Sequence, residues 1–188
     1  MSFLPTPSQT VGPFFGIALP DFVGPELVAA GTPGAVRIRG QVLDGADEPV
    51  PDAMVEIWQA NAAGRYRHPA DTRADLPVDE TFTGFGRCGT DDEGWFEFLT
   101  VKPGPVPGPN SSTQAPHIDV SVFARGLLKR LVTRIYFPDE EAANEADAVL
   151  SSITEAEGRA SLIGRHSDGG LRFDICLQGD RQSVFFAV

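Results

Sequence analysis

Four side chains in this sequence could do chemistry together: Tyr66, His117, Asp119 and Arg134. His117 and Asp119 stand two apart in Pro116-His117-Ile118-Asp119-Val120. On a β-strand, residues two apart point to the same face, so a His-x-His pair could hold one metal from one side. Here the second position is a carboxylate. Arg134, in Thr133-Arg134-Ile135-Tyr136-Phe137, offers a guanidinium that can engage an anion through directional, charge-assisted hydrogen bonds. Each residue also has an ordinary use: Tyr66 can pack its ring, His117 can be a polar link to Asp119, and Arg134 can pair with Asp139 or Glu140. His68 and His166 stand at no ligand spacing with another histidine. No nucleophile elbow, Cys-x-x-Cys or phosphate loop is present, and Gly84-x-Gly86-Arg87 is too short for a nucleotide site.

The elements that must position these groups read as strands. Val36, Ile38 and Val42 alternate with Arg37, Arg39 and Gln41 up to an Asp44-Gly45 turn. Further strands are expected at Ala53 to Trp58, Trp95 to Val101, Ile118 to Phe123 and Leu131 to Phe137. The last strands follow where Leu171, Phe173, Ile175 and Leu177 alternate with Arg172, Asp174, Cys176 and Gln178. Residues 1–34 read as an extended N-terminal arm with a short helical piece around Pro25 to Ala30. Residues 102–116, broken by Pro103, Pro105, Pro107, Pro109 and Pro116, read as a surface loop without strand. The Ala- and Glu-rich stretch from Asp139 to Ile153, followed by the capping-box pattern Thr154-x-x-Glu157, predicts one or two short helices. The fold class expected is all-β: a β-sandwich with Pro/Gly-rich loops, forming a single domain over residues 1–188.

Composition narrows the function classes. The 188 residues include 20 glycines and 16 prolines, which favours turns over long helices. Fifteen basic against 26 acidic side chains give a net charge of -11, which repels nucleic-acid phosphates and anionic lipid. Neither nucleic acid nor membrane is an expected partner. Cys88 and Cys176 are too few for a disulfide scaffold and suit a reducing cytoplasm. Met1-Ser2-Phe3-Leu4-Pro5 lacks the basic region and apolar run of a signal peptide, so a cytoplasmic location is expected.

Several motifs are specific when taken together: Thr6 to Phe14, Val55-Glu56-Ile57-Trp58-Gln59-Ala60-Asn61, Gly64 to His68, Lys102-Pro103-Gly104-Pro105, Thr133 to Phe137, Arg172 to Ile175 and Val184 to Phe186. They resemble the intradiol ring-cleavage dioxygenases over nearly the whole chain. The resemblance implies the same sandwich and a chemistry based on non-haem Fe(3+) held by two tyrosinates and two histidines, where phenolate oxygen stabilises the oxidised metal. It places the first tyrosine at Tyr66 and the first histidine at His117. The second tyrosine falls at Val106 and the second histidine at Asp119. This is the pattern implied for the iron-free alpha-type chains of family members built from two kinds of subunit, in which the partner beta chain binds the iron.

The resemblance further implies no metal and no catalytic residue in this chain alone. Its expected partners are a beta chain, a small aromatic substrate and O2, within a higher oligomer of αβ units. Arg134 is expected to meet a substrate carboxylate in a pocket shared with the beta chain. Thr10, Gly12, Pro13 and Phe14 are expected beside the substrate, Gly12 allowing close backbone approach and Phe14 standing where the family often has tyrosine. Two other readings are a β-sandwich module binding an aromatic ligand or a protein, and a self-sufficient metalloenzyme using Tyr66, His117 and Asp119.

Overall fold

In a computed structural model that describes Thr10 and residues 23–187, alternating apolar and polar residues form two facing sheets. β1 (Ala35–Leu43) is central to the first. It runs antiparallel to β4 (Trp95–Val101) on one side and parallel to β10 (Gly170–Arg172) and β11 (Ile175–Cys176) on the other. β9 (Arg165–Ser167) closes the edge against β10. The alternation from Leu171 to Leu177 is divided between two short strands, β10 and β11, with a break at Phe173 and Asp174. At the break Phe173 N–H still donates to the Arg39 carbonyl at 2.9 Å, while Gln41 N–H donates to the Asp174 carboxylate at 3.0 Å. A side-chain acceptor thus replaces a backbone one, as in a bulge. Gly40 makes the approach possible, since a Cβ there would fall 1.6 Å from the Phe173 oxygen.

The second sheet has the order β3 (Phe85–Gly89), β2 (Met54–Trp58), β7 (His117–Phe123), β8 (Leu131–Tyr136), all antiparallel. Its inward residues Val55, Ile57, Ile118, Val120 and Ile135 pack against Ile38, Val42, Phe96, Phe98 and Ile175 of the first sheet. All are buried, and each such side chain contributes about 1.5–3 kcal/mol relative to exposure.

Several expectations are corrected. Pro25 to Ala30 forms no helix, because Leu27 N–H donates to the Leu99 carbonyl at 2.8 Å and Leu99 N–H donates to that of Pro25 at 3.0 Å, which ties the segment to the edge of β4. The remaining arm, residues 1–9 and 11–22, lies outside the described residues. The proline-rich segment holds a small hairpin, β5 (Val106–Pro107) with β6 (Thr113–Gln114), and buries Pro103, Gly104, Val106, Ala115 and Pro116. Among the described residues, three short α-helices, α1 (Glu141–Ala146), α2 (Ala148–Ser151) and α3 (Ala156–Ser161), stand where one or two were expected. The Thr154 box does not form; Glu155 is the N-cap of α3, without a side-chain bond. Among the described residues no helix is long and apolar enough to cross a membrane.

Candidate functional site

The outward face of the second sheet carries the site. Trp58, Asp119 and Arg134 are register partners across β2, β7 and β8, and they share one face by the period of two. The next outward pair on this face, His117 and Tyr136, is buried. Tyr136 packs there with Ala115, Leu150 and Leu162, so the helical segment covers one end of an otherwise exposed sheet face. The site forms where that cover stops.

Tyr66 arrives on a loop that is pinned at several points. The Asn61 side chain accepts from the Ala63 and Arg65 N–H groups at 3.0 Å each, and its carbonyl accepts from Gly64 and Gly104 at 2.9 Å each. Gly64 has φ 81°, and a Cβ there would lie 2.1 Å from the Pro105 carbonyl oxygen. Glycine therefore lets the Tyr66 loop lie against the segment leading to Val106. Asp71 accepts from Tyr66 N–H at 2.9 Å and is gripped by Arg73, whose hydrogen bonds hold the carboxyl well below the usual carboxylate range. The Tyr66 ring stacks on Trp58, centroids 5.8 Å apart and planes 8° from parallel. Burial, reinforced by the Asp119 carboxylate, pushes the Tyr66 phenol up to about 12, so it stays protonated at neutral pH.

Arg134 does not pair with Asp139 or Glu140, which both hold Lys102. Its Nε donates to Asp119 Oδ1 at 2.8 Å, and its Nη1 donates to Gln114 Oε1 at 2.7 Å and to the Tyr136 hydroxyl at 3.3 Å. That hydroxyl donates to Asp147, a fully buried carboxylate that also accepts from Ala115, Val149 and Leu150 N–H groups and so caps α2. His117 Nδ1 lies 2.7 Å from the Ala115 carbonyl, which can only accept, so Nδ1 carries the hydrogen. Its Nε2 is 3.9 Å from Asp119 Oδ1, beyond hydrogen-bond length. Burial, aided by Arg134, pushes the imidazole pKa down and favours the neutral ring.

These residues do not fit a ferric ion. Val106 is buried beside Tyr66 and has no donor atom, and the Asp119 carboxylate already neutralises a guanidinium. A trivalent cation there would meet Arg134's positive charge at close range. Among the described residues no three His, Cys, Asp or Glu side chains gather as a metal would require.

Tyr66, His117, Val106 and Arg134 line one cleft of about 590 Å3 with Trp58 and Gln114. Asp119 and Arg134 also border a second, of about 650 Å3, on the same sheet face. Thr10 is not brought to this place. Its hydroxyl accepts from Gly126 N–H at 3.1 Å in the turn after β7. Ala124, where that turn begins, is five residues and roughly 17 Å of strand from Asp119. Gly12, Pro13 and Phe14 lie outside the described residues. Sequence reasoning missed Trp58, Gln114, Asp71 and Arg73 as site residues, and Asp147 as the hub behind it. Of these only Asp147 had a local signal, an Asp preceding an Ala-Val-Leu helical start.

Comparison with known proteins agrees with this geometry. Residues 12–179 match the model of the family described as Dioxygenase. The chain is 42% identical to the protocatechuate 3,4-dioxygenase alpha chain of Burkholderia cepacia, with 97% of each chain covered. It is 43% identical to the beta chain from the same organism, over 77% of this chain and 64% of that one. Among solved structures, the dioxygenase domain of a dioxygenase carbohydrate-binding protein fusion from Streptomyces sp. SirexAA-E superposes with a TM-score of 0.61 at 30% identity, covering 94% of this chain and 99% of that one.

Proposed function

This chain belongs to the intradiol dioxygenase family, whose chemistry uses non-haem iron, and on that premise we propose that it is the iron-free alpha subunit of a protocatechuate 3,4-dioxygenase. The assembled enzyme opens the protocatechuate ring between its two hydroxylated carbons and inserts both atoms of O2, giving 3-carboxy-cis,cis-muconate. The beta chain supplies the iron and its ligands. The alpha chain walls the substrate pocket, with Gly12, Pro13 and Phe14 beside the substrate and Arg134 as the cation that meets its carboxylate, while Thr10 anchors the arm at Gly126, away from that pocket. The subunits assemble as a higher oligomer of αβ units in the cytoplasm.

One observation carries the reading: at the two positions where the family's second tyrosine and second histidine are expected, this chain has a buried valine and a carboxylate engaged by Arg134. A donor set reduced to one phenol and one imidazole does not hold a hard ferric ion. The test is the iron content of three preparations: this chain, its beta partner, and the co-expressed pair. Iron is expected in the beta chain and the pair only. Stoichiometric iron in this chain alone would assign it the self-sufficient site instead.

A further inference from the structure

The cleft beside Tyr66 contains an acceptor that has no donor among the described residues. The His117 side chain is 2% exposed, and its Nδ1 hydrogen is committed to the Ala115 carbonyl. Nε2 therefore presents a lone pair, and the nearest acidic oxygen, on Asp119, is 3.9 Å away and has no hydrogen to give. Nε2 is not one of the fully enclosed unpaired atoms; it opens to the cleft, where water or the O–H or N–H of a ligand can donate to it. The space, about 590 Å3, is within the range of small-molecule sites and far beyond one water.

The walls specify the rest of the visitor. Trp58 and Tyr66, stacked at 8° from parallel, line one part, and Val106 and Pro107 line another, so the middle of the cleft suits a flat apolar ring. Arg134 also lines it. Its Nε and Nη1 are engaged by Asp119, Gln114 and Tyr136, while among the described residues Nη2 makes no hydrogen bond. That nitrogen retains two hydrogens for an anion. Lone pair, flat walls and guanidinium together match a hydroxyl, an aromatic ring and a carboxylate on one molecule.

We propose that this cleft is an iron-free binding site for a hydroxylated aromatic acid, whose phenolic O–H donates to His117 Nε2 and whose carboxylate meets Arg134. The proposal rests on Arg134 as a carboxylate partner, as above, and adds a second meeting inside the alpha chain itself, since Arg134 lines this cleft as well as the neighbouring one on the same sheet face. The αβ pair then holds two aromatic acids, one at the iron and one in a site that cannot cleave it.

Calorimetric titration with 4-hydroxybenzoate, which lacks the second, adjacent hydroxyl, counts the sites. Two equivalents per αβ pair and one on this chain alone are expected. His117→Phe should weaken the chain's own equivalent roughly tenfold or more. Benzoate, without the phenol, should bind the unaltered chain roughly tenfold more weakly than 4-hydroxybenzoate, a result that does not depend on the variant folding. One equivalent per pair with none on the chain alone, or benzoate binding as tightly as 4-hydroxybenzoate, would overturn the proposal. Metal analysis of the same samples keeps the two readings apart: iron in the isolated chain sinks the iron-free assignment, whatever the binding count.

Discussion

Removing the Arg134 guanidinium leaves Asp119 without its 2.8 Å partner and the Tyr136 hydroxyl without a donor. Because Asp119 is one-third exposed, water compensates in part, and Arg134→Ala should lower the unfolding free energy by about 1–2 kcal/mol in urea. The double variant Arg134→Ala/Asp119→Ala should cost less than the two single changes added together. The same pair gives a test on metal affinity. Restoring donors with Val106→Tyr and Asp119→His should still give low iron occupancy while the guanidinium remains, and adding Arg134→Gln should raise it; equal occupancy with and without Arg134 would deny the guanidinium this role. Asp71 provides the pH test. Arg73 holds its folded-state pKa below the ordinary 3.8, so its stabilising contribution is complete above about pH 4 and is lost as acid takes the pH lower. Asp71→Asn should remove that part of the acid-unfolding curve, as followed by Trp58 fluorescence beside Tyr66.

At the scale of elements, the site depends on two loops meeting at glycine. Gly64→Ala would force a Cβ into the Pro105 carbonyl at a positive φ, so it should cost more than about 1 kcal/mol and disturb the Tyr66–Trp58 stack in near-ultraviolet circular dichroism. Phe98→Ala, at a fully buried position between the sheets, should cost about 3–5 kcal/mol. The strands that position the site were legible because the alternation of Val36, Ile38 and Val42, or of Ile118, Val120 and Val122, reports a half-buried face directly. β3 was not, since Phe85-Gly86-Arg87-Cys88-Gly89 has two glycines and little apolar contrast and is held by pairing with β2. The hairpin of β5 and β6 was hidden by its prolines, which sit at an edge where the missing N–H does no harm. His117, Asp119 and Arg134 were each legible as candidates. That they form one network with Tyr136 and Asp147 depends on β7–β8 register and on a helix 11 residues beyond Tyr136, which no local pattern reports.

At the scale of the molecule, the proposed function makes this sandwich, whose outward sheet face has a valine and an aspartate where the family's second tyrosine and histidine are expected, a scaffold that a companion completes. Binding of the beta chain to the folded state alone should raise the unfolding temperature of this chain in proportion to the logarithm of partner concentration. With a net charge of -11, the carboxylate substrate of the proposed function has to be attracted by local cations such as Arg134. The central claim is tested most directly by oxygen uptake with protocatechuate in the pure chain, supplied with excess ferrous or ferric iron and no partner. The account predicts no uptake above the protein-free control until the beta chain is added; sustained uptake by the chain alone would contradict it.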